Sequence, residues 1–259
     1  MNTLRTKAVM FGINYINTPD ARLQGCINDV TEMAMVCKTL MGIQNVTLYT
    51  DDKTPADTTK AGIIQRLTEL ATASVAEKLD LVWVHYSGHG SYMRDTNGDE
   101  RDGRDECLVP SDFMTAGFLM DDVLSMVFAK FNPKTRVICV FDSCHSATVT
   151  DVKYSWLNPQ RATVENLRCT IQCPMLTLSG CMDNQTSADA FNVLGDRRFV
   201  GALTGCLVLL LRKNIALYKK NVFKLVEDLR IMLKQRGFTQ IPWLCSTHNV
   251  AKDPVLLPF

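Results

Sequence analysis

Short runs of apolar, β-branched and aromatic residues recur at residues 7–13, 46–49, 81–86 and 137–141, each bounded by turn formers and each as long as a buried strand. Between them the apolar period changes. Ile27, Val30, Met33, Ala34, Cys37, Leu40 and Met41 follow i, i+3, i+4 spacing, and Ile63, Ile64, Leu67, Leu70 and Ala71 repeat it one unit later, which gives each segment the single apolar face of a surface helix. Strand and helix in alternation predict an α/β fold with a mostly parallel sheet and helices on both faces. A strand near 175–179, helices near 201–212 and 222–234, and a last strand near 241–245 continue the pattern, for about six strands in all. Residues 149–173 follow neither period and carry Asn158-Pro159, so a loop is expected there. The expected organisation is one domain over 1–259: a first region at 1–150, a connecting loop at 151–173 and a second region at 174–259.

Length and composition leave that picture standing. A chain of 259 residues suits one large α/β domain, and 46% hydrophobic with 21% charged residues is the balance of an ordinary globular protein. A formal net charge of +1 gives no bulk attraction to nucleic acid or to an anionic membrane, and neither is expected as a partner. The ten cysteines are scattered through apolar stretches, Cys37, Cys139 and Cys206 among them, with no disulfide-framework spacing and no signal-peptide pattern. A reducing, cytoplasmic setting is therefore expected. No Cys-x-x-Cys pair points to zinc. The most apolar run, 200–211, is broken by Gly201, Thr204 and Gly205 and is shorter than the roughly 20 residues that span a bilayer. A buried helix is the reading.

Candidate chemistry sits at two strand ends. The third apolar run leads into His85-Tyr86-Ser87-Gly88-His89-Gly90, and the fourth into Asp142-Ser143-Cys144-His145-Ser146. In an open parallel sheet, neighbouring strands present their carboxyl ends along one edge, so these segments should meet there. A thiol and an imidazole in contact make a nucleophile with its acid/base partner. Cys144 and His89 supply that pair, and the backbone N–H groups of Gly90 and Cys144 can hold an oxyanion. His85, inside the strand, and His248, near the terminus, read as structural, and His145 as a local loop residue.

These residues resemble a family. His-Tyr-Ser-Gly-His-Gly, with the Cys of Asp-Ser-Cys-His-Ser 55 positions after His89, is similar to the catalytic signature of metacaspases. Gly25-Cys26-Ile27-Asn28-Asp29-Val30, Asp105-Glu106-Cys107-Leu108-Val109-Pro110 and the segment from Leu178-Ser179-Gly180-Cys181 to Gln185-Thr186-Ser187-Ala188-Asp189 extend the likeness over nearly the whole chain. The resemblance is to a type I-like catalytic core without a Pro-rich prodomain. It implies a caspase-like fold, a His89/Cys144 dyad acting through an acyl-enzyme thioester, and cleavage of proteins or peptides after Arg or Lys. It further favours a monomer; autoprocessing, where it occurs, is expected to follow the same rule, at Lys153 or Arg161 in the irregular segment. Caspases proper carry Gln-Ala-Cys at the nucleophile and cut after Asp; this chain has Asp-Ser-Cys. A caspase-fold binding module without turnover is the alternative class of function.

The resemblance also assigns a specificity pocket and a metal. Asp29 and Asp142 match the pocket acids, with Cys26 and Ser87 beside them. Fixed carboxylates would offset the desolvation of an entering cationic side chain. Asp29-x-x-Glu32 also reads as a capping box for the following helix. Residues 95–106 nearly copy an EF-hand loop, but Glu100 stands where Gly is required, which rejects that motif. The resemblance implies instead an activating calcium ion at Asp105, Asp121, Asp122 and Asp151. Taken alone, Asp121-Asp122 reads as the cap of the following helix.

Overall fold

The computed structural model describes residues 4–94, 104–143, 149–180, 189–191, 193–196 and 198–258. In chain order its elements are β1 (Thr6–Gly12), α1 (Cys26–Thr39), β2 (Val46–Thr50), α2 (Lys60–Ala76), β3 (Leu81–Ser87), β4 (Gly90–Arg94), β5 (Arg104–Leu108), α3 (Phe113–Ala116), β6 (Leu119–Met120), α4 (Asp121–Phe128) and β7 (Arg136–Asp142). Then come β8 (Tyr154–Asn158), β9 (Arg161–Val164), β10 (Met175–Ser179), β11 (Asp189–Phe191), β12 (Phe199–Gly201), α5 (Ala202–Tyr218), α6 (Val222–Gln235) and β13 (Trp243–Ser246).

The main sheet has the order β2-β1-β3-β7-β10-β13-β8-β9. Pairings from β2 through β10 are parallel, and β13, β8 and β9 add on antiparallel. Every residue of β3 is buried, as parallel strands covered on both faces must be. Alternate side chains go to opposite faces. Met10, Trp83 and Ile138 pack with α1, α5 and α6 on one side, whereas Phe11, Val82, Val84 and Cys139 pack with α2 and α4 on the other. The α/β class and the helices on both faces are as the sequence predicts.

The sheet holds eight strands rather than six, because residues 154–164, expected as loop, form the hairpin β8–β9. The physical reason is burial. β9 is exposed along its whole length and β8 buries only Ser155 and Trp156, so an edge hairpin leaves no apolar run to read. Asn158-Pro159 is its turn, closed where Asn158 Oδ1 accepts the Gln160 N–H at 2.9 Å. Two further pieces carried no sequence signal, the antiparallel β4-β5-β6 sheet and the β11-β12 pair. The run at 200–211 falls in β12 and the buried face of α5. Among the described residues no helix is long and apolar enough to cross a membrane.

The chain leaves β1 toward β2 on one side while β3 lies on the other, so the strand order reverses between β1 and β3. The loops from the carboxyl ends of β1, β3 and β7 open around this point, the usual place for a binding crevice.

Candidate active site

β3 and β7 run in parallel register from Leu81↔Arg136 to Ser87↔Asp142, an offset of 55 at every pair. His89 and Cys144 are separated by that same offset (144 − 89 = 55), two residues beyond the last pair. The Gly88 N–H donates to the Asp142 carbonyl at 3.3 Å, continuing the ladder one step. Cys144 and His145 lie outside the described residues; Ser143 is the last described residue on that side and is buried.

His89 is held from several directions. Its Nε2 lies 2.8 Å from the Ala21 carbonyl. A carbonyl only accepts, so Nε2 carries the hydrogen and Nδ1 is the nitrogen available for proton transfer. The imidazole rests on the Tyr15 ring with centroids 4.7 Å apart. Its backbone N–H donates to the Tyr15 hydroxyl at 2.8 Å, and its carbonyl accepts from the Tyr86 hydroxyl at 2.9 Å and from Val109 N–H at 3.1 Å. Gly90, the other oxyanion donor expected, opens β4 opposite Leu108.

Asp29 and Asp142 converge, although they come from α1 and β7. Asp29 is fully buried and Asp142 is 3% exposed. Asp29 Oδ2 accepts from the Ser87 hydroxyl at 2.6 Å and its Oδ1 from Gly201 N–H at 2.7 Å, while Asp142 Oδ2 accepts from Thr204 N–H at 2.8 Å. Both carboxylates thus meet the first amides of α5, where the helix dipole favours negative charge. Gly201 is required by this approach: a Cβ there would collide with Asp142 Oδ2 and lie 2.8 Å from Asp29 Oδ2. Cys26 is buried at the start of α1, its N–H donating to Asn14 Oδ1 at 3.0 Å. The capping-box reading of Asp29 does not hold, because α1 starts at Cys26 and Asp29 already bonds back to Gly25 as a helical residue. Glu32 is engaged with Arg198 at 2.6 Å and Arg212 at 2.7 Å.

The implied calcium ligands come from β5, the start of α4 and the segment after β7. Asp121 and Asp122 are the first two residues of α4, with Asp121 Oδ1 accepting the Asp122 N–H at 2.8 Å. The β5–β6 ladder ends at Cys107↔Met120, just before α4 begins, and Asp105 pairs with Met93 of β4; the Asp105 side chain lies outside the described residues. Asp151 is buried, with φ of 49°. Among the described residues no three His, Cys, Asp or Glu side chains stand together as a metal site would require. Most of the 95–106 run, up to Gly103, is outside the described residues.

The remaining thiols and imidazoles are set apart by burial. Cys139 and Cys206 are fully buried, and desolvation pushes the Cys139 thiol well up and Cys206 to about 11, which leaves both as unreactive thiols. His85 is fully buried within β3, contacts Thr204 Oγ1 at 3.2 Å, and is pulled by desolvation down to about 3. Sequence reasoning did not find Tyr15, Ala21, Gly201 or Thr204. Each acts through a long-range contact that no local spacing encodes.

Residues 6–153 match the family model for the metacaspase, peptidase C14 domain. The chain is 31% identical over 265 residues to Metacaspase-2 of Trypanosoma brucei brucei, covering 95% of this chain and 74% of that protein. Among solved structures it is similar to a protein of Geobacter sulfurreducens, at 27% identity with a TM-score of 0.64 over 93% of both chains. It is also similar to Caspase-1 of Spodoptera frugiperda, at 14% identity with a TM-score of 0.60 over 94% of this chain and 87% of that one. The last likeness bears on the fold alone, and that fold is caspase-like.

Proposed function

Since this chain belongs to the metacaspase family of cysteine-type peptidases, we propose that it cleaves proteins after Arg or Lys, with Cys144 as nucleophile and His89 as acid/base partner. The observation that carries the reading is the shared offset of 55 between the β3–β7 register and the two residues. An ordinary thiol, with a pKa of about 8.5, is only a few per cent ionised at neutral pH, so it needs a base beside it. His89 Nδ1 takes the Cys144 proton as the sulfur attacks the scissile carbonyl carbon. The N–H groups of Gly90 and Cys144 hold the oxyanion. The imidazolium then protonates the leaving amine, the C–N bond breaks and a thioester remains. Water, giving a proton to His89, attacks the thioester carbon; the acid product leaves and the thiol regains its proton.

Asp29 and Asp142, with Ser87 and Cys26, are the proposed recess for the Arg or Lys side chain. Two buried carboxylates favour a cation in that recess and disfavour the acidic side chain a caspase takes. Calcium is proposed as an activator at Asp105, Asp121, Asp122 and Asp151, whose oxygen-only donors suit a hard cation. When bound it supplies charge that draws these acids together; the bond-breaking steps belong to the dyad.

Fluorogenic peptides ending in Arg and in Asp, each assayed with and without calcium, test the reading. Arg-ending peptides should be cleaved, with Cys144→Ala and His89→Ala each removing nearly all turnover and the double variant losing no more. Substantial turnover by Cys144→Ala, or preference for the Asp-ending peptide, would overturn it. Calcium stimulation should vanish in the Asp121→Ala, Asp122→Ala double variant; equal stimulation would remove the ion from these acids.

A further inference from the structure

We propose that Tyr15 is a positioning residue for His89, its hydroxyl fixing the backbone of the acid/base residue and its ring fixing the imidazole. The inference rests on the dyad reading and extends it to a side chain that this reading does not use.

The Tyr15 hydroxyl accepts the His89 N–H at 2.8 Å, donates to the Val109 carbonyl at 2.7 Å and lies 3.3 Å from the Tyr86 hydroxyl. Tyr86 closes the other side: its oxygen lies 2.9 Å from the carbonyls of both His89 and Val109, and since Tyr15 already donates to Val109, the single Tyr86 hydrogen goes to His89. The N–H and the carbonyl of His89 are thereby tied to two phenols while Ala21 holds Nε2. Gly88 makes the approach possible: a Cβ on it would lie 2.7 Å from the Tyr86 oxygen and 2.9 Å from the Tyr15 oxygen. Burial raises both phenols above their ordinary value, so they stay protonated, and able to donate, over any working pH.

Tyr15 itself is held against its own preference. Its φ of 53° is in the left-handed region, unusual for a bulky residue and found where the surroundings over-determine it. Asp51, buried at the end of β2, does the holding: its two oxygens accept the N–H groups of Asn14 and Ile16, each at 3.0 Å, one on either side of Tyr15. Asn14 in turn accepts the Leu23 N–H at its carbonyl and the Cys26 N–H at its side chain, both at 3.0 Å, so the same loop presents the Ala21 carbonyl. Filling space would need only a Phe. The hydroxyl, with its ordered partners, and the strained backbone point to placement of His89.

Tyr15→Phe keeps the ring and removes the hydroxyl. With an Arg-ending peptide, kcat should fall about tenfold or more, as sub-ångström misplacement of a catalytic group predicts, while KM stays within about twofold. Alkylation of Cys144 by iodoacetamide should slow in parallel. Tyr218→Phe is the control: it removes a hydroxyl bond to Asp228 of 2.9 Å at the far end of α5 and should alter only Tm. A folded Tyr15→Phe with unchanged kcat, while Cys144→Ala and His89→Ala are inactive, overturns the proposal and spares the dyad. Retained turnover in those two variants would overturn the dyad itself. Should Tyr15→Phe not fold, Gly88→Ala pushes on the same two hydroxyls, and an unchanged kcat there overturns the proposal equally.

Discussion

Asp29 has both carboxylate oxygens engaged across the molecule, on Ser87 and Gly201, although its local spacing reads as a helix cap. Local pattern and long-range use coincide at one residue, and only the fold separates them. Replacing it by Asn keeps the volume and removes the charge. A hydrogen bond to a charged group contributes about 1.5–3 kcal/mol, which converts to roughly 10- to 150-fold in kcat/KM on Arg-ending peptides. The expected outcome for Asp29→Asn is a loss of that size on Arg-ending peptides with a smaller change in Tm. A lower Tm with unaltered kinetics would make the residue structural only. The family resemblance singled out the two acids proposed for the pocket, but nothing in the sequence around Gly201 and Thr204 announces that two carboxylates arrive there from α1 and β7.

The elements best read from sequence are those buried on both sides. β3 and β7 show unbroken apolar runs because helices cover both faces. The β8–β9 hairpin, solvated along β9, has no such pattern; of the two residues expected as self-cleavage points in an irregular segment, Lys153 immediately precedes β8 and Arg161 is the first residue of β9, paired with Asn158. A protease needs an extended, unpaired segment, so cleavage follows local opening. Arg168 is exposed in the turn after β9, next to Leu167 at 84% exposure, and belongs to no strand. Limited trypsin digestion of the inactive Cys144→Ala protein should therefore cut after Arg168 before Lys153 or Arg161, as read by mass spectrometry. First cleavage at Arg161 would mean that the hairpin opens more readily than its pairing implies.

On the scale of the whole molecule, stability carries the signature of a buried imidazole. Desolvation holds His85 near about 3 in the folded state against an ordinary 6.5. Below 6.5 the unfolded chain therefore binds a proton that the folded one refuses. Stability falls as pH drops from 6.5 toward 3, by up to about 1.4 kcal/mol per pH unit. His248, lowered chiefly by burial, adds in the same direction. Urea unfolding at pH 7, 6 and 5 should show wild type losing stability faster than His85→Leu; equal slopes would mean that His85 takes up its proton while folded. The architecture itself was legible because strand and helix alternate in the order that builds a doubly covered sheet; the edge strand β2 was legible with it, whereas the solvated β8–β9 hairpin at the opposite edge was not.

Whether Cys144 is the nucleophile of an Arg/Lys-directed peptidase is decided by covalent labelling. The protein is incubated with an Arg-ending peptidyl ketone that alkylates an attacking thiol, and the modified residue is located by peptide mapping. A single adduct on Cys144 is expected, abolished by His89→Ala, with the buried thiols of Cys139 and Cys206 untouched and an Asp-ending analogue inert. An adduct on any other cysteine, or equal labelling by the Asp-ending analogue, would contradict it.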